Sequence, residues 1–472
     1  MKRFLTLLLT LAMVLTFTVP ALATSYPDPD DWTAQEILDK GGVPGRVNVL
    51  WQGQCIVFPD TQPKIVKGRT MIPIRAVMES MGAEVEYTPA GKIVEITMGD
   101  AILRTSVGSD TITVIRDGEM TVCEMDCASY IDGGRTMVPV RFISEAAGYT
   151  VLWDGDYKTA VVVDTAAEAA KIDSQFTKIN DFLADQMAQQ AGKNLAQTSS
   201  AAVSLTVYDE EGEAQELPVT LKADTYTDGA ALRVDLSVDV SEAAATLLKN
   251  AGDLLEDVDL SALKGQDLSN IQAVLLIEED SDSYLQCGLL NAMLGVNENA
   301  WIALAPETAF AASASTFTVG ELLMTVLTLE DEDSFHFYDT LTVATDVLTL
   351  MLGDETGKTT GTKTSWGMDT DDLLALAGAD TAEEFEGLNL DYTFSIDTKG
   401  AADMTFTVSM DTGMGLIHLD MTAASTDTDS EITLWAGMED VLDVIVYATS
   451  RTETVAQLPS MKLPAGAEVV EA

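Results

Sequence analysis

Basic side chains are scarce: 26 Lys and Arg stand against 76 Asp and Glu, a formal net charge of −50. Such a field repels phosphate backbones and anionic lipid surfaces and draws basic partners, so nucleic acid is not an expected ligand. The deficit is uneven, with 15 Lys and Arg against 22 Asp and Glu in residues 1–171, and 11 against 54 in residues 172–472. Cysteine is also sparse. Cys55, Cys123, Cys127 and Cys287 are too few for a disulfide scaffold in a chain of 472 residues. One bridge among the first three stays open, Cys287 reads as a buried thiol, and Cys123-x-x-x-Cys127 fits no common zinc spacing. After the N-terminus no run reaches about 18 apolar residues, so no later membrane anchor is expected. There are two histidines, His336 and His418. Both sit in apolar runs without a nucleophile elbow and read as packed side chains, not bases. Phosphate-loop, Rossmann and His-Glu-x-x-His patterns are absent. Among so many carboxylates no acid pair can be singled out as a glycosidase site. The blocks Glu330-Asp331-Glu332-Asp333 and Asp369 to Asp372 lack the spacing of a calcium loop and read as solvated acidic faces.

What is present begins with Lys2 and Arg3, the apolar stretch Phe4 to Phe17, and Ala21-Leu22-Ala23, the order of a secretory signal peptide cleaved after Ala23. The expected organisation is a signal peptide at 1–23, a linker at 24–46 and a module at 47–165 in two copies, about 47–98 and 111–164. A helix and linker follow at 166–198, then an acidic β-rich domain with central helices at 199–472.

The two copies show directly. An offset of 66 aligns Ile65–Thr97 with Ile131–Val163 without a gap, and GRTMIPIR at 68–75 matches GRTMVPVR at 134–141. In each copy an extended segment ends at Gly-Arg-Thr-Met (Gly68, Arg69; Gly134, Arg135). A proline (Pro73, Pro139) stands where a short helix begins, next to an arginine (Arg75, Arg141), and a glycine (Gly82, Gly148) stands where it ends. Ile74, Val77, Met78 and Met81 fall on one helical face. Val85 and Tyr87, then Ile93 to Met98, supply a hairpin to cover it, as do Val151, Trp153 and Thr159 to Val163 in the second copy. Each copy thus reads as a compact strand–helix–hairpin unit. The four arginines read as structural, satisfying carbonyls and acids beside helix starts and strand ends.

These residues resemble the copper amine oxidase N-terminal-like, or stalk, domain over about Asn48–Asp164. The resemblance implies a small α+β fold with an antiparallel sheet around a helix, and a secreted or cell-surface bacterial setting. It does not imply oxidase chemistry: copper in that enzyme is held by three histidines, this chain has two, and the cofactor tyrosine's Asn-Tyr-Asp/Glu-Tyr context is missing. No cofactor is expected, copper being disfavoured and calcium unsupported by a motif.

Beyond residue 165, Ile172, Phe176, Ile179 and Leu183 predict one amphipathic helix ending near Gly192, and Gln197-Thr198-Ser199-Ser200 marks a boundary. Alternation then takes over at Val203, Leu205, Val207, at Leu217, Val219, Leu221 and at Leu232 to Val238. It returns from Leu388 to Trp435. Helical segments at Phe317 to Leu329, Leu341 to Leu352 and Leu373 to Gly378 lie between, with a strand–helix–strand passage at Tyr284 to Leu304. The predicted fold is α+β, a duplicated sheet-plus-helix module followed by a curved antiparallel sheet on helices. This element order resembles half-barrel lipid and lipoprotein carriers of bacterial envelopes. The resemblance would place Met293, Leu323, Met324, Leu348 and Met351 around an apolar ligand; the competing reading is a filled core.

Three functions therefore stand. The leading one is a non-enzymatic secreted or cell-surface protein whose module positions the acidic domain at the envelope, with cell-wall or envelope components as partners. The second is a carrier of a hydrophobic ligand or lipid. The third is a secreted hydrolase using acidic residues.

Overall fold

The computed structural model describes residues 29–208, 212–250, 267–279, 282–304, 318–328, 334–377, 387–411 and 415–471. The expected signal peptide at 1–23 and the acidic block at 330–333 lie outside the described residues. The fold is α+β, and it divides into two compact units. The N-terminal unit combines the chain up to Gln175 with the returning segment Thr318–Leu348, and the sheet unit combines Phe176–Phe317 with Thr349 onward.

The N-terminal unit holds three small sheets. One runs in the order Thr150–Asp154, Thr159–Val163, Asn48–Trp51, Gln54–Cys55, and a second takes the five strands between Glu84 and Glu124 in sequence order. The third joins Tyr130–Asp132, Arg135–Pro139, Arg69–Pro73 and Lys64–Val66. The two copies are therefore not separate compact units. The hairpin after the second helix is extended by strand Asn48–Trp51, which precedes the first helix and runs parallel to Thr159–Val163. The hairpin after the first helix is extended by the strands leading to the second copy. Helices of 7 and 8 residues, Ile74–Ser80 and Val140–Ala147, bury too little area to hold a core each. Interlocking pools them: Ile72, Val77, Met78 and Val94 share one core with Val138, Ile143, Val151 and Val162.

The stretch expected as a linker also belongs to this unit. It carries the helix Pro29–Asp39, in which Ile37 is buried and Glu36 accepts a hydrogen bond from the Tyr157 hydroxyl. The returning segment, expected as part of the C-terminal domain, packs here as well. Its helix Val319–Leu327 lies so close to helix Thr165–Asp173 that a Cβ at Gly320 would meet the Ala169 carbonyl oxygen at 2.2 Å. Farther along, the Phe335 amide donates to Asp154 Oδ2 at 3.1 Å, and its ring stacks on Tyr157 with centroids 4.1 Å apart.

In the sheet unit one curved sheet of fourteen strands contains all the strands among the described residues. From one edge it runs Lys358–Thr360, Lys363–Asp369, Leu388–Asp397, Ala402–Asp411, Leu416–Ser425, Asp429–Met438 and Leu442–Thr454. It continues through Leu195–Tyr208, Ala214–Thr227, Leu232–Asp239, Ile271–Ile277, Ser283–Cys287 and Trp301–Ala303 to Val469–Glu471. All pairings are antiparallel except the last, Trp301–Ala303 with Val469–Glu471. The two expected meanders become one sheet because Leu195–Tyr208 pairs with Leu442–Thr454 over thirteen residues.

Register lines up a continuous apolar face. Phe394 faces Met404, Met404 faces Ala423, Leu434 faces Val446, and Val446 faces Val203, which faces Val219. At one end this face is closed, with Trp366, Tyr392, Phe394, Met404 and Phe406 buried. Across the middle Leu434, Val446, Val203, Val219 and Val234 are half-buried.

Two expectations change here. Residues 197–200 lie inside strand Leu195–Tyr208 and mark no boundary, because ladder bonds on both sides outweigh their polar character. The single amphipathic helix is two, Thr165–Asp173 and Thr177–Gln190; Ile172, Phe176, Ile179 and Leu183 are nonetheless all buried. The second starts where Asp354 accepts from the amides of Thr177 and Lys178 at 2.9 and 3.0 Å, satisfying two of the donors left open at a helix start.

Candidate functional site

The signature segments meet each other. Lys67-Gly68 and Gly133-Gly134 are two-residue hairpin loops with φ of 52°, 76°, 54° and 77°. Both residues in the left-handed region define a type I′ turn, which glycine adopts without strain. Each turn feeds a strand, and the two strands pair about a local two-fold: Ile72 faces Val138, Met71 faces Pro139 and Pro73 faces Met137. Every one of these pairs maps onto itself or its mirror under the offset of 66. So do the charges. Arg69 pairs with Asp126 and Arg135 with Asp60, each bridge joining one copy to the other. Arg75 Nη2 donates to the Val85 carbonyl at 3.1 Å while its Nε lies 3.6 Å from Glu79 Oε1; Arg141 Nη2 donates to the Val151 carbonyl at 3.4 Å while its Nε lies 3.9 Å from Glu145 Oε1. Burial pushes the Glu145 carboxyl up, and Arg141 opposes it. Pro73 and Pro139 occupy the cap positions before the two helices, and Gly82 and Gly148 follow them in left-handed conformation.

Beside the first helix is a groove of about 590 Å³. Pro73, Ile74, Val85, Tyr87 and Ile131 form its apolar wall, and Asp60, Arg75, Glu79 and Arg135 its charged rim. Ala76 lines it too; the residue 66 positions later is Phe142. A groove of this kind, apolar inside with both signs of charge outside, suits an extended polar ligand with apolar patches.

The residues singled out as an apolar ligand cavity are divided between the two units. Leu323, Met324 and Leu348 are buried in the N-terminal unit, Met351 is buried in the sheet unit, and Met293 is 57% exposed. Cys287 is half-buried, and the buried thiol is Cys55, pushed up to about 11 by burial against the pull of Lys40. All four cysteines are unpaired. His336 lies 3.5 Å from Glu36 and edge-on to Tyr157, while His418 lies 3.6 Å from Asp443 and against Trp435. In the block Asp369 to Asp372, Asp369 Oδ1 accepts from the Asp372 amide at 3.1 Å, capping helix Thr370–Ala377. No group of three His, Cys, Asp or Glu among the described residues is arranged to hold a metal.

Asp60 and Asp126, partners of the signature arginines, went unnoticed in the sequence. The offset of 66, carried five residues before Ile65, matches them.

Residues 50–162 match the family model of the copper amine oxidase N-terminal domain. This is a non-catalytic, stalk-like domain of that oxidase. No curated protein matches the chain significantly. Among solved structures, Ail, the attachment invasion locus protein of Yersinia pestis, aligns with 55% of this chain and 99% of its own at 4% identity. Its TM-score of 0.12 is too low to carry an argument. No helix among the described residues is long and apolar enough to cross a membrane.

Proposed function

We propose that this is an exported, non-enzymatic protein of the bacterial cell surface, in which the stalk-like N-terminal unit positions the acidic sheet unit at the envelope. The observation that carries the reading is the use made of the signature arginines. All four engage internal carboxylates, and three of them also internal carbonyls, so the signature builds a scaffold. The match to a non-catalytic domain supports the same reading. Attachment to cell-wall polymer is assigned to the groove beside Ile74–Ser80, where an apolar wall and a charged rim face outward together. The test is retention of the full chain on purified cell wall at moderate salt, alongside Ala76→Phe, which copies Phe142 into the groove. Retention lost in the variant supports the assignment; a wild-type protein that washes through sinks surface attachment by this unit.

A second reading, a carrier of a hydrophobic ligand, draws on the half-buried middle of the apolar sheet face around Val203, Val219, Val234 and Val446. Lipid extraction and mass spectrometry of protein from its native host tests it. Protein free of stoichiometric lipid removes that reading.

A further inference from the structure

Across strands Ala402–Asp411 to Ala214–Thr227 the face of the sheet opposite the apolar one carries mostly hydroxyls and carboxylates, with a group of large side chains among them. Register places Asp420, Trp435, Ile445 and Ser204 in one row across four strands, and Thr422, Thr433, Tyr447 and Ala202 in the next. Trp435, Ile445 and Tyr447 adjoin one another there and are 45%, 46% and 47% exposed. Three large, exposed side chains at adjoining register positions form a patch, which isolated exposed residues do not.

Both aromatics are held in place. Trp435 Nε1 donates to Asp443 Oδ1 at 3.2 Å, and the His418 ring lies against the indole, tilted by 53°, with centroids 4.0 Å apart. Asp443 is fixed in turn by the Tyr208 hydroxyl at 3.0 Å. Tyr447 sits beside Glu431, whose carboxylate charge pushes the phenol up. Rigid Trp and Tyr side chains lose little freedom on binding, which is why they dominate the centres of protein interfaces.

The surroundings select the partner's charge. Asp420, Glu431 and Asp443 flank the patch, and Glu216 lies two strands beyond Asp443 in its row. Between strands Leu416–Ser425 and Ala214–Thr227, Lys222, three strands from Glu431, is the one lysine or arginine in the four rows through these residues; Lys358 ends the Glu431 row at the far edge of the sheet. A guanidinium or ammonium group over an indole or phenol face gains cation–π attraction, and the adjacent carboxylates add charge-assisted hydrogen bonds.

We propose that Trp435, Ile445 and Tyr447, ringed by Asp420, Glu431 and Asp443, form a docking surface for an arginine- and lysine-bearing segment of another protein. The cations seat on the aromatic faces and the carboxylates, and the apolar side chains of the segment cover Ile445.

The experiment measures binding of a labelled twelve-residue peptide of alternating arginine and valine to the full chain by fluorescence anisotropy at 0.15 M salt. A glutamate–valine peptide and a neutral β-1,4-linked hexasaccharide serve as comparison probes. Trp435→Ala and Tyr447→Ala should each weaken the arginine peptide about fivefold or more. Asp181→Asn, an equal loss of charge on helix Thr177–Gln190, should change it less than about twofold. Should an aromatic variant fold poorly, Asp420→Asn and Glu431→Gln leave both rings in place and should still weaken binding about threefold. Equal binding by wild type, Trp435→Ala and Tyr447→Ala would mean diffuse attraction to an acidic protein and overturn the proposal. So would preference for the hexasaccharide or for the glutamate peptide.

Discussion

Substituting Gly320 by alanine tests whether the segment Thr318–Leu348 is an integral part of the N-terminal unit. The new Cβ would lie 2.2 Å from the Ala169 carbonyl oxygen and 2.8 Å from its carbonyl carbon and Cα. These are backbone atoms inside helix Thr165–Asp173, so no side chain can swing aside; the helices must part by about 1 Å. Such overpacking costs about 1–3 kcal/mol. Parting the helices also stretches the 2.8 Å bond from the Gly320 amide to Asp173 Oδ1, and hydrogen bonds to charged groups contribute about 1.5–3 kcal/mol. Against this, alanine in a helix gains about 1 kcal/mol over glycine. The net is a loss of about 2 kcal/mol or more, which for a domain of 150–250 residues lowers Tm by roughly 4–8 °C. Differential scanning calorimetry of the full chain should show this fall in the transition of the N-terminal unit. Gly155→Ala, where the nearest atom to a new Cβ is Trp153 Nε1 at 3.9 Å, should leave that transition within about 0.5 kcal/mol of wild type. An unchanged Tm for Gly320→Ala would refute the close packing of the two helices.

Trp366→Phe removes the buried indole bond to the Gly353 carbonyl at 2.8 Å and should destabilise the sheet unit by about 1–3 kcal/mol in urea titration, with the N-terminal unit unaffected. Asp354→Ala removes the cap on helix Thr177–Gln190 and should cost about 1 kcal/mol by the same measurement. A double-mutant cycle on Arg135 and Asp60 should give a coupling of about 0.5 kcal/mol, since both side chains are half exposed; a value above about 2 kcal/mol would contradict that surface setting. Cys55, with its thiol at about 11 folded against 9.0 for the unperturbed group, keeps its proton in the native state while the unfolded chain loses it. Its contribution is therefore intact below pH 9 and lost as pH rises toward 11. Chemical denaturation between pH 8 and 11 should show that decline, and Cys55→Ala should flatten it.

How much of this was legible in the sequence depends on whether the partner of each residue lay nearby along the chain. The prolines before the helices, the glycines after them and the apolar face of the first helix are local, and the pattern of residues discloses them; the hairpin turns at Lys67-Gly68 and Gly133-Gly134, inside what reads as one extended segment, were not read. The sheet strands over 203–238 and 388–435 were legible for the same reason, because alternation is a property of each segment, whereas Ile271–Ile277, Lys363–Asp369 and Leu442–Thr454 were not read. The interlocking was not, since nothing local says that Asn48–Trp51 pairs with Thr159–Val163 more than a hundred residues away. The same limit explains the returning segment. Leu322, Leu323, Met324 and Leu348 have the pattern of any core-facing helix, and that pattern does not say which core they enter. It also explains the arginines: each reads as needing a carboxylate, and the choice of Asp126 or Asp60 follows only once Ile72 is set opposite Val138.

The two-fold relation between the halves also bears on the groove beside helix Ile74–Ser80. An interface between equivalent segments generates every contact twice, so scaffold residues are held equal on both sides: Arg69 and Arg135, Asp60 and Asp126, Pro73 and Pro139. Positions outside that interface are free to diverge. Ala76 and Phe142, and Pro59 and Met125, are such pairs; the first member of each lines the groove, and Met125 is buried. If the halves served only to support one another, the smaller residues would have no reason to collect beside one helix, where they leave Ile74, Val85 and Tyr87 lining an open space. Their collection there is what a binding groove in a scaffold requires, and it is the reason Ala76→Phe separates the two roles: the fold should tolerate the ring already accommodated at Phe142, and a ligand in the groove should not.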